Sequence, residues 1–166
     1  MRKVVAMRRS IVRDVAVATA VLVWGCASAN AQSAPFAGLA GQWKGAGTIS
    51  LSDGAKERLR CKASYQVSRG EARLQQSLRC ASDSYRFDLS TDVTSQQGQV
   101  AGAWSEASRN ISGSVVGREN AGSISAVVDA PGFRAQLSVS TKGNRQSVSL
   151  ASDSDIRAVE ISMNRE

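Results

Sequence analysis

From about residue 43 onward, apolar and polar positions alternate with a period of two, in runs too short for ordinary helices. Trp43, Gly45, Gly47, Ile49 and Leu51 share one face of a first segment. In a second, Leu59, Cys61, Ala63, Tyr65 and Val67 alternate with Arg58, Arg60, Lys62, Ser64 and Gln66. In a third, Ala72, Leu74, Gln76, Leu78 and Cys80 alternate with Arg73, Gln75, Ser77 and Arg79. Successive side chains of a strand point to opposite faces, so each run reads as a half-buried β-strand. The alternation returns at 85–89, 100–104, 111–115, 124–128, 133–139, 148–150 and 159–163. Turn-forming clusters lie between the runs, among them Asp53-Gly54, Pro131-Gly132 and Gly143-Asn144. The pattern predicts an all-β fold: an antiparallel up-and-down meander of about eight to ten strands, closed as a barrel or folded as a β-sandwich. Closure removes exposed edges. A short helix is expected only at 33–39.

The N-terminus departs from this pattern. Arg2, Lys3, Arg8, Arg9 and Arg13 precede an uncharged apolar run from Val15 to Trp24, and Ala29-Asn30-Ala31 supplies a small-x-small cleavage site. These are the three parts of a secretory signal, and the apolar run is shorter than the roughly 20 residues of a transmembrane helix. Residues 1–31 are therefore expected to be a signal peptide and residues 32–166 a single domain of the periplasm or the secreted fraction. Val23-Trp24-Gly25-Cys26 offers an alternative, a lipidated Cys26 that would tether the domain to a membrane. The leader also distorts the charge. It holds five of the 21 basic and one of the 14 acidic residues, so 16 and 13 remain and the net charge falls from +7 to +3. A nucleic-acid partner is not expected from that balance.

Without Cys26, two cysteines remain, and an even count in an exported chain reads as a disulfide. The register agrees. A four-residue loop at 69–72 sets Val67 opposite Leu74, Tyr65 opposite Gln76 and Cys61 opposite Cys80. Opposed side chains of an antiparallel pair are close enough to be bridged with slight adjustment. For the first hairpin, parity demands a loop of three or five residues, with Ile49 expected against Leu59 and Trp43 against Tyr65. A slip of one residue would turn every side chain to the wrong face.

Leu39-Ala40-Gly41-Gln42-Trp43, at the start of the first strand, resembles the Gly-x-Trp opening of the calycins, the superfamily of lipocalins, fatty-acid-binding proteins and avidins. The resemblance implies a calycin-like barrel with the tryptophan packed at one end, under an arginine of a late strand, for which Arg157 is the candidate. The stretch from Arg60-Cys61 to Arg79-Cys80-Ala81-Ser82-Asp83-Ser84-Tyr85 is similar to small secreted bacterial proteins of no assigned function. The Gly-x-Trp start and the disulfide also resemble periplasmic metalloprotease inhibitors.

The chain has no histidine, which removes the usual general base, the serine and cysteine triads and most zinc and iron sites. With its mature cysteines paired, thiolate chemistry goes too. Asp153 and Asp155 lie in a polar turn without the ligand density of a calcium loop. No catalytic residue, metal site or cofactor is expected, and the chain reads as a monomeric non-enzymatic binding protein. One form of that reading carries a small apolar ligand in the barrel, with Trp43, Tyr65 and Trp104 as candidate lining. Small inward residues, among them Ala63, Gly102 and Gly113, would either leave room for the ligand or fill the taper. The alternative is an envelope interaction protein, such as a protease inhibitor or a binder of anionic surfaces. Its candidate surface is basic: with Lys62 facing Arg79 and Arg79 facing Arg86, a cationic stripe would cross three strands, flanked by Arg58, Arg60 and Arg73. A lipid headgroup, an anionic glycan or an acidic protein would offset the repulsion within it.

Overall fold

The computed structural model describes residues 34–68, 70 and 72–166; the expected signal peptide and Cys26 lie outside the described residues. Ten strands follow one another: β1 (Gly41–Leu51), β2 (Lys56–Ser68), β3 (Arg73–Ala81), β4 (Arg86–Gln96), β5 (Gln99–Glu106), β6 (Ile111–Asn120), β7 (Ser123–Ala130), β8 (Phe133–Lys142), β9 (Arg145–Ser152) and β10 (Ile156–Arg165). Each pairs antiparallel with its chain neighbours, and β1 pairs with β10, so the meander closes into one barrel. The sandwich alternative is overturned by that last pairing. A single 3-10 turn, Ala37–Leu39, precedes β1, shorter than the helix expected there.

The period of two decides what faces inward. Trp43, Ile49, Leu59, Tyr65, Leu74, Val93, Val100, Val115, Ile161 and Met163 are buried on the inner face. The seam between β1 and β10 depends on two glycines at inward positions. A Cβ on Gly45 would collide with the Ser162 carbonyl oxygen, and one on Gly47 with that of Glu160. Only residues without a side chain allow β10 to approach so closely there. Gly102 and Gly113 behave likewise against the carbonyl oxygens of Asp92 and Asp129. These two glycines therefore do not leave the interior room the sequence suggested, because neighbouring backbone already fills it.

The β2–β3 hairpin has the expected register throughout, with Val67 opposite Leu74 and Cys61 opposite Cys80. Cys61 and Cys80 form a disulfide on the inner face, their Cα atoms 4.2 Å apart, in the range of the closer kind of antiparallel pair. Two other hairpins keep the expected face but shift by two residues. In the first, Ile49 lies opposite Glu57 and Trp43 opposite Ala63, because the turn tightens around Asp53: Leu51 N–H donates to the Ala55 carbonyl and Ala55 N–H to the Asp53 side chain. In the third, Arg79 lies opposite Asp88 and not Arg86. The turn there spans 82–85, with Ser82 N–H donating to the Tyr85 carbonyl and Tyr85 N–H to Ser82 Oγ.

Reduction of Cys61–Cys80 is expected to cost about 3 kcal/mol, the chain-entropy estimate for a loop of roughly this length; the two cysteines are 19 positions apart. Urea unfolding with and without a reductant measures it, and an unchanged midpoint would show that the hairpin holds without the bond.

Candidate functional site

One end of the barrel is plugged. Phe36 and Leu39, from the segment before β1, cover Trp43, and all three are buried. The Trp43 indole N–H donates to the Leu39 carbonyl at 2.8 Å. The Arg165 guanidinium lies 4.7 Å from the Trp43 ring centroid and donates to the carbonyls of Ala40 and Gly38, a cation–π contact fixed by backbone acceptors. The arginine over the tryptophan is therefore Arg165 and not Arg157, which is outside and faces Asp153 at 3.7 Å. Strand pairing gives the reason: an antiparallel β10 that meets the start of β1 does so with its own end, and Trp43 pairs with Arg165. Tyr65 packs edge-on to Trp43 with ring centroids 6.3 Å apart. Its hydroxyl donates to Gln146 Oε1 at 2.8 Å and accepts from Gln76 Nε2. Burial pushes the Tyr65 hydroxyl up to about 12, against those two side-chain hydrogen bonds. Trp43 and Tyr65 thus close the base and do not line a hollow.

The other end is more open. Leu89, Trp104, Phe133, Leu137, Leu150 and Val159 occupy inward positions, yet each is only partly buried. Trp104 and Phe133 meet edge-on with centroids 5.9 Å apart, and the Trp104 indole N–H is buried without an acceptor among the described residues. Beside them, between the β7–β8 and β9–β10 turns, lies an open groove of about 740 Å³ that runs over the rim, lined by the outward Arg134 and Gln136 and by Asp129 and Asp153 as well as by Ala130, Phe133 and Ala135. A smaller one of about 250 Å³ lies at the base, against Pro35, Leu39, Ile124 and Arg165. The mouth is braced by Glu106, which is 4 % exposed. Its carboxylate accepts from the backbone N–H groups of Asp88, Ser108 and Arg109 and from the Ser108 hydroxyl. Burial pushes this carboxyl up, but those hydrogen bonds together outweigh it and hold the group below its ordinary value. Sequence reasoning missed Glu106; an acid that ends a strand two and three residues before Ser108 and Arg109 is the signal for a side chain folding back on its own turn.

The basic residues do not form the stripe expected across three strands. Arg79 pairs with Asp88 at 3.1 Å, and Arg73 is held by Asp92 through two guanidinium nitrogens. Arg86 lies opposite Ala81. Lys62 does face Arg79 on β3 and also Lys44 on β1. Arg58, Arg60 and Lys62 remain together, exposed along the outer face of β2. Among the described residues, no group of three or more histidine, cysteine, aspartate or glutamate side chains could hold a metal ion.

No family model matches the chain, and no curated protein matches it. Among solved structures, it is similar to Rv2717c from M. tuberculosis, with a TM-score of 0.63 and 14% identity over 78% of this chain and 94% of that one. It is also similar to the S-type phycobiliprotein lyase CPES from Guillardia theta, with a TM-score of 0.53 and 10% identity over 79% of this chain and 90% of that one. At such identities the likeness is one of fold.

Two titrations report on the two ends. Because the Tyr65 value is raised, its contribution is complete below the unfolded-state value near 10 and is lost as pH rises through about 12. Tyr65→Phe should flatten the fall in stability over that window, at a cost of about 1 kcal/mol for the lost hydrogen bond. Glu106 has the opposite sign: its lowered value gives stability present above the ordinary carboxyl value of 4.5 and lost as pH falls through the folded one. Glu106→Gln turns an amide toward N–H donors, with an expected cost of about 1–3 kcal/mol and a shallower acid limb. Urea midpoints across pH measure both; limbs parallel to wild type would remove these groups as their source.

Proposed function

We propose that this chain is an exported, non-enzymatic barrel that binds a small, mainly apolar molecule through its open end. The observation that carries the reading is the contrast between the two ends. Phe36, Trp43 and Met163 at the base are at most 1 % exposed, whereas on one side of the mouth Leu89, Trp104, Phe133, Leu150 and Val159 stay partly open to solvent, although Ile49 and Leu59 toward the same end are buried. Apolar surface that faces inward and is still wet gains by being covered. Closed wall and plugged base leave the mouth as the route. The Trp104 N–H would offer one donor to a ligand acceptor that displaces the edge of Phe133. The disulfide fits an oxidising compartment, and the leader supplies the route out of the cytoplasm. Catalysis is not part of this reading: without histidine, and with Glu106 engaged by backbone donors, the mouth has no free acid–base pair among the groups just described. The second neighbour is a lyase; the present reading carries over its barrel and not its reaction.

Titration with anilinonaphthalene sulfonate, read by probe emission and by quenching of tryptophan fluorescence, tests the site. Saturable binding is expected, weakened about tenfold or more by Leu150→Arg, which brings a charge into the apolar mouth. Binding that does not saturate, or that Leu150→Arg leaves unchanged, would sink the carrier reading.

A further inference from the structure

The outer wall of the barrel sorts its charges unevenly. On β2, the four consecutive outward positions are Lys56, Arg58, Arg60 and Lys62, all exposed. Alternate residues of a strand are about 6.6–6.8 Å apart, so this ladder spans roughly 20 Å. Small side chains flank it: Ser50, Thr48 and Ala46 face Lys56, Arg58 and Arg60 from β1, and Ala81 faces Arg60 from β3. Lys56, Arg58 and Arg60 therefore rise from a low floor, and Lys62 stands between Lys44 and Arg79. Among the described residues none of the four makes an ion pair. Of the nearby carboxylates, Glu166 bonds to Lys44 and also feels the charge of Lys62, Asp88 bonds to Arg79, and Glu160 lies outward on β10 in the row of Thr48 and Arg58. Glu57, between Lys56 and Arg58, is on the inward face and accepts from the Ser84 N–H. Across the barrel, the outward residues midway along β5 to β9 are serine, alanine, valine and Gln136, and the cations Arg118, Arg134, Lys142 and Arg145 lie near strand ends.

We propose that this ladder is a binding site for a linear acidic polysaccharide. The row lies along a single strand, so it matches a chain and not a plane. The one large apolar residue strongly exposed among the described residues, Val116, is on β6 and not near the ladder. Nothing in the ladder can insert into lipid. Nor is there an exposed aromatic ring beside it on which bases could stack. Carboxylate or sulfate groups spaced along a saccharide need neither, and each guanidinium can hold one through two N–H donors. Two arginines at the centre and lysines at the ends put the stronger geometric recognition in the middle. The site is on the outside wall and is independent of the ligand proposed for the mouth.

Binding of the purified protein to an immobilised heparin-derived oligosaccharide, followed over a range of salt, tests this. Wild type should bind, with an affinity that falls steeply with salt. Arg58→Gln/Arg60→Gln/Lys62→Gln should lose about tenfold or more and lower the salt slope by about three, near one for each cation removed. Arg118→Gln/Lys142→Gln/Arg145→Gln removes the same charge elsewhere and should change affinity less than about twofold. Arg58→Lys/Arg60→Lys keeps the charge and should retain most of the salt slope, which guards against a fold defect in the glutamine variant. Equal losses in the two triple variants would reduce the effect to net charge and overturn the site. Tighter, ladder-dependent binding to a single-stranded oligonucleotide or to phosphatidylglycerol vesicles would overturn the partner class.

Discussion

The pairing of β1 with β10 makes a barrel out of what would otherwise be a curled sheet. It needs two things. The backbones must come close enough to bond, which the absence of a Cβ at Gly45 and Gly47 allows. The base must also be shut, so that the seam is dry at one end, and here Trp43 and Arg165 meet as direct neighbours across it. The rest depends on that closure. With the seam shut, no strand keeps a free edge, inward side chains become a core, and a mouth is defined opposite the plug. The disulfide acts one hairpin away and clamps β2 to β3, so the region around the seam carries both a close backbone approach and the covalent bond.

Polar groups inside the wall are sorted by the same logic. At the base, Tyr65, Gln146, Gln76 and Thr141 form a short hydrogen-bonded chain, which satisfies side chains that burial would otherwise penalise. At the mouth, Glu106 folds back on the β5–β6 turn and is spent on backbone donors. The unsatisfied group near the mouth is the neutral indole of Trp104.

Much of the fold was legible in the sequence, because a period of two is hard to mistake over ten segments. Cys61 and Cys80 could be paired because turn length and parity agreed on one register. The other hairpins show the limit of that argument. Parity fixes which face a residue takes but leaves shifts of two residues open, and hydrogen bonds made by Asp53 and Ser82 in the turns settled them. The strand after Leu89 ran on unseen, since Thr91 and Ser95 interrupt its apolar face while still pointing inward. For the sites, Trp43 and Tyr65 were recognised as inner residues, but their place in the plug depended on which residue of β10 met them. That pairing joins parts of the chain no local pattern connects. The basic cluster was noticed, but its direction was misread: it runs along a strand, because Asp88 and not Arg86 came to face Arg79.

The plug unites Arg165 with the Ala40 carbonyl across 125 positions of sequence. Loop-closure entropy makes such distant contacts late events in folding. Until they form, β1 and β10 are two unpaired borders on an otherwise hairpin-built ribbon, each able to recruit a strand from another molecule. A newly made chain is therefore most vulnerable to self-association in the interval before its first and last strands find one another.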